Sequence, residues 1–401
     1  MPHETDWSLV MPTDQLRIAA YNVENLFSRP RAMGAPEPVA AEVLDAHARV
    51  NELFEHDTYS AADKTEILGL LKKLRLLLDD GDPDRKNTFA VLRKIRGQLL
   101  KRPRGGGEDD VTVVADGRSD WVGWVDLIKD RIDALAITHT ARVIREVDAD
   151  IVGVVEAEDR ITLRRFSDTL ISSDGVPRYP HVMLIDGNDS RGIDVGILST
   201  DQYPVRDIRS HVDDGPFGNR IFSRDCPEYH FTFPDGSGLA GQPLLVLVNH
   251  LKSKFGTNQS ASNKRRRRQA EAVAEIYKQR RDEGIEHIVV LGDFNDTPDS
   301  DTLKPLLGAT DLTDFAEIAN FDDGDPDEDR PGTFGNGTKS NKIDYLLLSP
   351  SLFDRATGGG IFRKGVWGGT HGTLFPHFDT MTDETHAASD HAAIFADVDI
   401  S

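Results

Sequence analysis

Ile288-Val289-Val290-Leu291 is an apolar run, three of its residues β-branched, that stops at Gly292 and gives way to Asp293-Phe294-Asn295-Asp296-Thr297-Pro298. A run of this kind marks a strand covered on both faces, which commits the chain to a sheet with material packed on each side. Asp293 and Asn295 then sit at the strand's carboxyl end. Two residues apart, they share a face of extended backbone while Phe294 points the other way. A strand followed by an Asx turn accounts for the same residues without any chemistry, since Asp-Phe-Asn-Asp-Thr-Pro is a turn former in its own right. What the other strand ends carry decides between the two.

The layout recurs. Leu16 to Phe27 begins as a strand and ends with Asn22 and Glu24 on one face, and Ile151 to Val155 ends at Glu156-Ala157-Glu158-Asp159. His181 to Ile185 is a further strand, followed by the polar turn Asp186 to Gly192, which holds Arg191, and by a strand at Ile193 to Leu198 with Asp194 at its start. Val205 to Phe222 reads as a hairpin region. Leu244 to Val248 runs into Asn249-His250-Leu251-Lys252-Ser253-Lys254, Lys342 to Leu348 carries Asp344, and Ser389-Asp390-His391 precedes a last strand to Val398. Ile132 to Val147 and Lys264 to about Arg281 have helical apolar spacing. Strands alternating with helices, with hairpins between, imply an α/β protein with mixed sheets. No repeat of fixed period is present.

Residues 31–137 interrupt this pattern, and we read them as a largely helical insertion within a single domain spanning 1–401. Ala61 to Leu78 is predicted helical from Ile67, Leu70, Leu71, Leu74 and Leu78, with Asp80-Gly81-Asp82-Pro83-Asp84 as its stop. Phe89 to Leu100 is predicted to be a second helix, followed by a Lys101 to Gly107 loop, and Val111 to Val114 a short strand or hairpin arm. Apolar faces of this kind need something to pack against.

A formal net charge of -21 repels polyanions and argues against binding driven by counterion release alone. A local basic groove remains open, with Lys252, Lys254 and Lys264-Arg265-Arg266-Arg267-Arg268 as its candidates; a solvated surface explains the same run. Basic residues at a helix start oppose the macrodipole and call for acid, solvent or a ligand phosphate. The single Cys226 excludes an internal disulfide, Met1 to Asp6 is acidic where a signal peptide is basic, and no apolar stretch approaches the roughly 18 residues of a membrane span. A soluble, cytoplasmic protein is the expectation, with no protein partner implied.

Carboxylates gathered at one sheet edge repel each other unless a cation or a His offsets them. Oxygen ligands with no Cys cluster point to Mg²⁺ or Mn²⁺, and two His residues supply groups that titrate near neutrality. Together these suit attack of water on a phosphate ester.

Taken in order, Asn22, Glu156, Asn249-His250, Gly292-Asp293-Phe294-Asn295, Ile343-Asp344-Tyr345 and Ser389-Asp390-His391 resemble the endonuclease/exonuclease/phosphatase superfamily of metal-dependent phosphoesterases. The resemblance covers Leu16 to Phe27 and about Thr138 to the end. It implies a four-layer α/β/β/α sandwich, with two mixed sheets face to face and helices outside. It also implies that Glu156 is the principal Mg²⁺ ligand, with Asn22 and Asp390 beside it, that Asp293 orients or deprotonates the water, and that Asn295 holds the phosphate. His391 is then the catalytic His, Asp344 its partner, and His250 the second His of the deoxyribonuclease and sphingomyelinase branches. Asp194 as partner of His250 is our own addition, and Asn249, Lys252 and Arg191 are candidate substrate contacts.

His250 stands where the apurinic-endonuclease branch commonly has Tyr, and the segment at Glu156 lacks that branch's wording. The absence of a secretion signal and of an exposed aromatic hairpin disfavours a sphingomyelinase, and the lack of extended lysine-bearing motifs a 5-phosphatase. The expectation is Mg²⁺-dependent hydrolysis of phosphodiester bonds in DNA or RNA. The alternatives are a small phosphorylated molecule or phospholipid head group, and, in a different class, a non-catalytic binding protein on the same fold. The His371, His377, Asp379 and His386 loop is a candidate cap or second metal site, and the insertion either a cover for the active site or a side lobe.

Overall fold

A computed structural model describes residues 14–86, 88–172, 175–189, 191–216, 219–254, 258–325 and 330–401. Met1 to Asp6 and residues 326–329 of the acidic Asp322 to Arg330 loop lie outside them. The chain opens with β1 (Gln15–Asn22) and continues through β2 (Ser28–Pro30), α1 (Glu37–Phe54), α2 (Ala61–Lys73), β3 (Ala90–Gly97), β4 (Leu100–Lys101), β5 (Thr112–Val113), β6 (Trp121–Leu127) and β7 (Lys129–Arg131). Helix α3 (Ala134–Val147) leads to β8 (Ile151–Ala157), α4 (Arg160–Phe166), β9 (His181–Ile185), β10 (Asp194–Ser199), β11 (Asp207–Arg209), β12 (Glu228–Thr232) and β13 (Pro243–His250). There follow α5 (Gln259–Asp282), β14 (His287–Asp293), α6 (Lys304–Leu307), β15 (Thr313–Asp314), β16 (Asp344–Leu348), α7 (Pro350–Phe353), β17 (Ala356–Phe362) and β18 (Ala393–Asp399). Two compact units result, one made of residues 27–132 with 254–262, the other of the remaining chain.

The larger unit holds two six-stranded mixed sheets, ordered β17-β18-β1-β8-β10-β9 and β11-β12-β13-β14-β16-β15. Each has one parallel pair, β1 with β8 and β13 with β14. Period-two alternation makes both sheets two-faced. Leu16, Ile18 and Ala20 of β1, Val195 and Ile197 of β10, Val246 and Val248 of β13, Val289 and Leu291 of β14, and Leu346 and Leu348 of β16 enter one shared core. The sheets approach so closely at Gly153 that a Cβ there would stand 2.2 Å from Leu291 Cδ1. The alternate residues of the second sheet, Leu245, Leu247, Ile288, Val290, Tyr345 and Leu347, pack instead on Ala270, Val273, Ala274, Ile276 and Tyr277 of α5. Strands β12 and β17 have no counterpart in the sequence reading. Ala-Thr-Gly-Gly-Gly-Ile-Phe lacks the apolar alternation that marks a strand, and β17 is held by an edge pairing with β18.

On β12, the fully buried Glu228 carboxylate accepts from Arg280 Nε at 2.5 Å and lies 2.8 Å from His211 Nε2. Burial alone would raise its pKa, but His211 and Arg280 outweigh it and hold the group at about 2 against an ordinary 4.5. A depressed carboxyl contributes stability that is complete above the ordinary value and is lost as pH falls through the folded one, here between about 4.5 and about 2. The size is about 3 kcal/mol. Glu228→Gln is therefore expected to flatten the loss of stability between pH 5 and pH 2, read from urea midpoints across that range.

The smaller unit has a core of its own, built from Val43, Val50 and Leu53 of α1, Ile67 and Leu71 of α2, and Trp121 and Val125 of β6. Helix α2 is capped by Ser60, whose side chain accepts from Asp63 N, and gives out at Leu74 because Arg75 takes a φ of 59°. Leu78, predicted to extend the helix stripe, is consequently 55% exposed. The predicted helix at Phe89 to Leu100 is instead the strand β3, paired antiparallel with β6. Leu92, Ile95 and Leu99 do fit helical spacing, but the partner strand some thirty residues later supplies the backbone hydrogen bonds, so the insertion is two helices plus small β ribbons. This ribbon leaves Trp124 42% exposed.

Candidate active site

Register sets the site. In the second sheet His250 is the Cα partner of Asp293, and Asp293 of Asp344, so three neighbouring strands deliver three functional side chains in one row. Alternation from Val248, Leu291 and Leu346 puts them on the core-facing side. In the first sheet Asn22 follows Ala20 on that side. Glu156, one residue after the core residue Val155, would point away by alternation; its φ of 68° re-aims it, and Glu156 Oε1 comes to 3.6 Å from His250 Nε2. Six described non-glycine residues have positive φ, and four of them, Glu24, Asn25, Glu156 and Asn295, belong to this region. Each such conformation costs on the order of 1 kcal/mol or more, which tertiary contacts must offset.

The Asp293 carboxylate collects three donors: Asn295 N at 2.8 Å, Asn295 Nδ2 at 3.1 Å and Asn22 Nδ2 at 3.3 Å. His250 Nε2 stands 3.6 Å from Asp293 Oδ2. His391 Nδ1 is 2.8 Å from Asp344 Oδ2, an oxygen that also accepts from Thr333 Oγ1. Because a carboxylate only accepts, Nδ1 carries the proton and Nε2 is left facing Asn22 Nδ2 at 3.5 Å. The Phe334 ring lies 5.0 Å from the His391 ring. Burial, with Arg191 adding to it, lowers His250 to about 3, so this ring is neutral. Burial and the neighbouring Asp344 push Asp293 well above the usual carboxylate range. Burial opposes the charge of His391, but Asp344 more than offsets it and the pKa rises well above the ordinary value. Glu156 is raised by burial, with Arg191 and His391 pulling it back.

The expected residues do not all assemble. Asp194 does not pair with His250. Its Oδ1 accepts from Gly187 N at 2.7 Å, while His250 Nδ1 is buried with no hydrogen-bond partner. Besides Glu156 and Asp293, the carboxylate of Asp189, held between Arg191 at 3.0 Å and the buried Arg224 at 2.9 Å, bears on the charge of His250. Sequence reading missed Asp189 because a turn residue carries no periodic signal. Asn249 alternates away from His250, onto the face of Leu247, whose carbonyl it caps from Nδ2 at 3.4 Å. Arg191 and Lys252 are half-buried, and both charges act on His250. Asn25 and Thr333 were also missed. Asn25 Nδ2 donates to Glu156 Oε2 at 3.1 Å, and the polar run at the end of β1 is a signal that points to it; nothing local marks Thr333. Ser389 Oγ donates to Asn22 O at 2.8 Å and accepts from His391 N at 3.0 Å, and Glu24 Oε2 accepts from Asp390 N at 2.9 Å, tying β1 to the Ser389-Asp390-His391 turn.

The basic run is not one open surface. Arg266 is fully buried, with Nε 3.0 Å and Nη2 2.9 Å from Asp296 Oδ2 and Nη1 donating to Lys252 O at 2.6 Å. Arg267 pairs with Glu271, and Arg268 donates to Asn219. In the His-rich loop, His377 Nε2 lies 2.7 Å from Trp367 O and His386 Nδ1 3.5 Å from Asp383, with His371 exposed. Among the described residues the one compact group of metal-ligating side chains is Asp293, Asp344 and His391, with ligand atoms within 4.8 Å of one another. That group is already occupied by its own hydrogen bonds. Glu156 and Asp390 fit a cation better: all their donors are hard oxygens, and Asp390 Oδ1 is buried without a hydrogen-bond partner, with His391 Nε2 3.7 Å away, beyond hydrogen-bond reach.

No helix among the described residues is long and apolar enough to cross a membrane. No curated protein matches the chain. Solved structures resemble it at low identity: an endonuclease/exonuclease/phosphatase family protein from Bacteroides thetaiotaomicron (17% identity, 67% of this chain and 88% of that one, TM-score 0.46), a mannosyl-6-phosphatase from Bacteroides thetaiotaomicron VPI-5482 (18%, 65% and 90%, 0.45), and the human Nocturnin catalytic domain with bound sulfate (13%, 67% and 87%, 0.44). Residues 127–391 match the sequence model described as Endonuclease/Exonuclease/phosphatase family, a span that takes in Glu156, His250, Asp293, Asn295, Asp344, Asp390 and His391. The chain belongs to the endonuclease/exonuclease/phosphatase family.

Proposed function

We propose that the protein is a Mg²⁺-dependent phosphodiesterase that cleaves nucleic-acid strands by in-line attack of water. The observation that carries this reading is the row His250, Asp293, Asp344 beside the 2.8 Å His391–Asp344 pair, a base and a held imidazole on one buried edge. Glu156 and Asp390, with the amide oxygen of Asn22, would hold Mg²⁺ or Mn²⁺, which when bound neutralises charge on the phosphate. Asp293 takes the proton of the attacking water. Asn295, fixed by its own hydrogen bonds to Asp293, offers an amide to a phosphate oxygen, and neutral His250 donates without adding charge. His391, locked by Asp344, contributes the second protonic group, and the Arg191 guanidinium faces the same anion.

Purified protein with plasmid DNA, RNA and bis-p-nitrophenyl phosphate, each with Mg²⁺ and with EDTA, tests the proposal. Turnover that requires the metal supports it. Its absence on every substrate would move the protein to the non-catalytic binding class. A small phosphorylated molecule is the second reading, favoured because Arg266, Arg267 and Arg268 are engaged within the protein rather than presented to a strand. Asp344→Asn is expected to lower kcat by about 10²-fold with KM little changed, because an amide can favour the wrong His391 tautomer; steady-state kinetics on the diester check it.

A further inference from the structure

The β3–β6 ribbon of the smaller unit has no part in the chemistry above. Residues 91–104 contain six Lys and Arg and no Asp or Glu, in a chain of net charge -21. The structure makes this a surface: Arg93, Lys94 and Arg96 are exposed, Ile95 is 69% exposed at a bulge between Lys94 and Arg96, and Trp124 is 42% exposed. Trp124 is the Cα partner of Arg93, and Val122 of Arg96, so two guanidinium-bearing positions flank the indole on one face of a two-stranded ribbon. Asp126 lies 3.5 Å from Arg93 Nε across an exposed surface, where a pair of this kind contributes little. Arg96 Nη2 donates to Arg118 O at 3.1 Å on that exposed surface, whereas Arg102 is committed to Leu77 O and Asp80.

We infer that the Trp124 face of this ribbon is a binding surface for single-stranded nucleic acid, with Arg93 and Arg96 on the phosphates and Trp124 stacking a base; the inference rests on the nuclease reading and names a surface that holds a strand. A nucleic-acid strand alternates phosphates with planar bases, which matches cations interleaved with one indole. An acidic peptide would use only the charge. A lipid surface requires a contiguous apolar patch, and here Ile95 and Trp124 are set among cations.

The test is fluorescence anisotropy of the full chain with a labelled oligothymidylate of about 15 nucleotides in EDTA. The double variant Arg93→Ser/Arg96→Ser should weaken binding by about tenfold and flatten the slope of log K against log salt by about 1.4. Trp124→Ser should weaken it by about tenfold with the salt slope unchanged. Turnover of bis-p-nitrophenyl phosphate, which offers the ribbon neither a strand nor a base, should equal that of the parent, and unchanged circular dichroism and urea unfolding curves report that the variants fold. Unchanged oligonucleotide affinity in both variants overturns the inference, as does ribbon-dependent binding seen only with phosphatidylserine vesicles. Ribbon-dependent binding of an oligonucleotide that is never cleaved with Mg²⁺ sustains the surface and overturns the nuclease reading; cleavage with affinity indifferent to the ribbon does the reverse.

Discussion

Asp293→Ala is expected to lower kcat on a phosphodiester by about 10³-fold, with the fold intact. The carboxylate is the convergence point of the site: it accepts from Asn295 N, Asn295 Nδ2 and Asn22 Nδ2, and it stands in register between His250 and Asp344. Its removal takes away the group proposed to receive the water's proton and at the same time frees the Asn295 amide, so positioning and proton transfer are expected to fail together. Stability should fall far less than activity: the Asn22 and Asn295 donors lose an acceptor, but the buried edge also loses a carboxyl that burial and Asp344 disfavour as an anion. Single-turnover kinetics beside a urea unfolding curve separate the two. A variant that retained more than about a tenth of the parent rate would remove Asp293 from the proton-accepting role.

Arg266→Ala carries the largest expected structural penalty, about 3–5 kcal/mol in urea unfolding, the cost of leaving a buried ion without its partner. Arg266 spans Asp296, Asn263 and the Lys252 carbonyl. Asp296 is 3% exposed and would keep Ser300 Oγ, Thr302 Oγ1 and Thr297 N, but no cation from Arg266. A double variant, Arg266→Met with Asp296→Asn, should recover most of the stability, since both charges then go together. No recovery would mean that the loss comes from the carbonyl contact at Lys252 rather than from the ion pair. This clamp joins the start of α5 to the turn after Asn295, so weakened catalysis in Arg266→Ala at low denaturant is expected as a secondary effect.

The strands that carry the site were legible because each is a short apolar run closed by polar residues. Ile288 to Leu291, Leu244 to Val248 and Ile151 to Val155 became β14, β13 and β8 within two residues. The polar residues at their ends were legible for the same reason: Asp293, Asp344, Glu156 and His391 interrupt apolar periodicity at strand ends, where backbone hydrogen bonding does not need them. Within the turn-forming Asp-Phe-Asn-Asp-Thr-Pro segment, Asp296 holds the turn through Thr297, Ser300 and Thr302.

Partners across the chain were not legible. Asp194 was chosen for His250 by proximity to a strand start, yet its carboxylate closes the Gly187 turn, and Glu156, Asp293 and Asp189 bear on His250 instead. Arg266 was read as part of a uniform basic run, because spacing alone does not tell which face of α5 turns inward. Phe89 to Leu100 has helical spacing, but β6 captured it as a strand. The sequence by itself determined the strands that carry the candidate site and which residue types end them, because period-two burial and turn chemistry are local properties. The tertiary structure alone decided that the Glu156 side chain turns inward at a φ of 68°, that His391 meets Asp344, and that Thr333 and Asn25 support them. Those contacts depend on sheet register and on left-handed backbone held by distant partners, which no local spacing encodes.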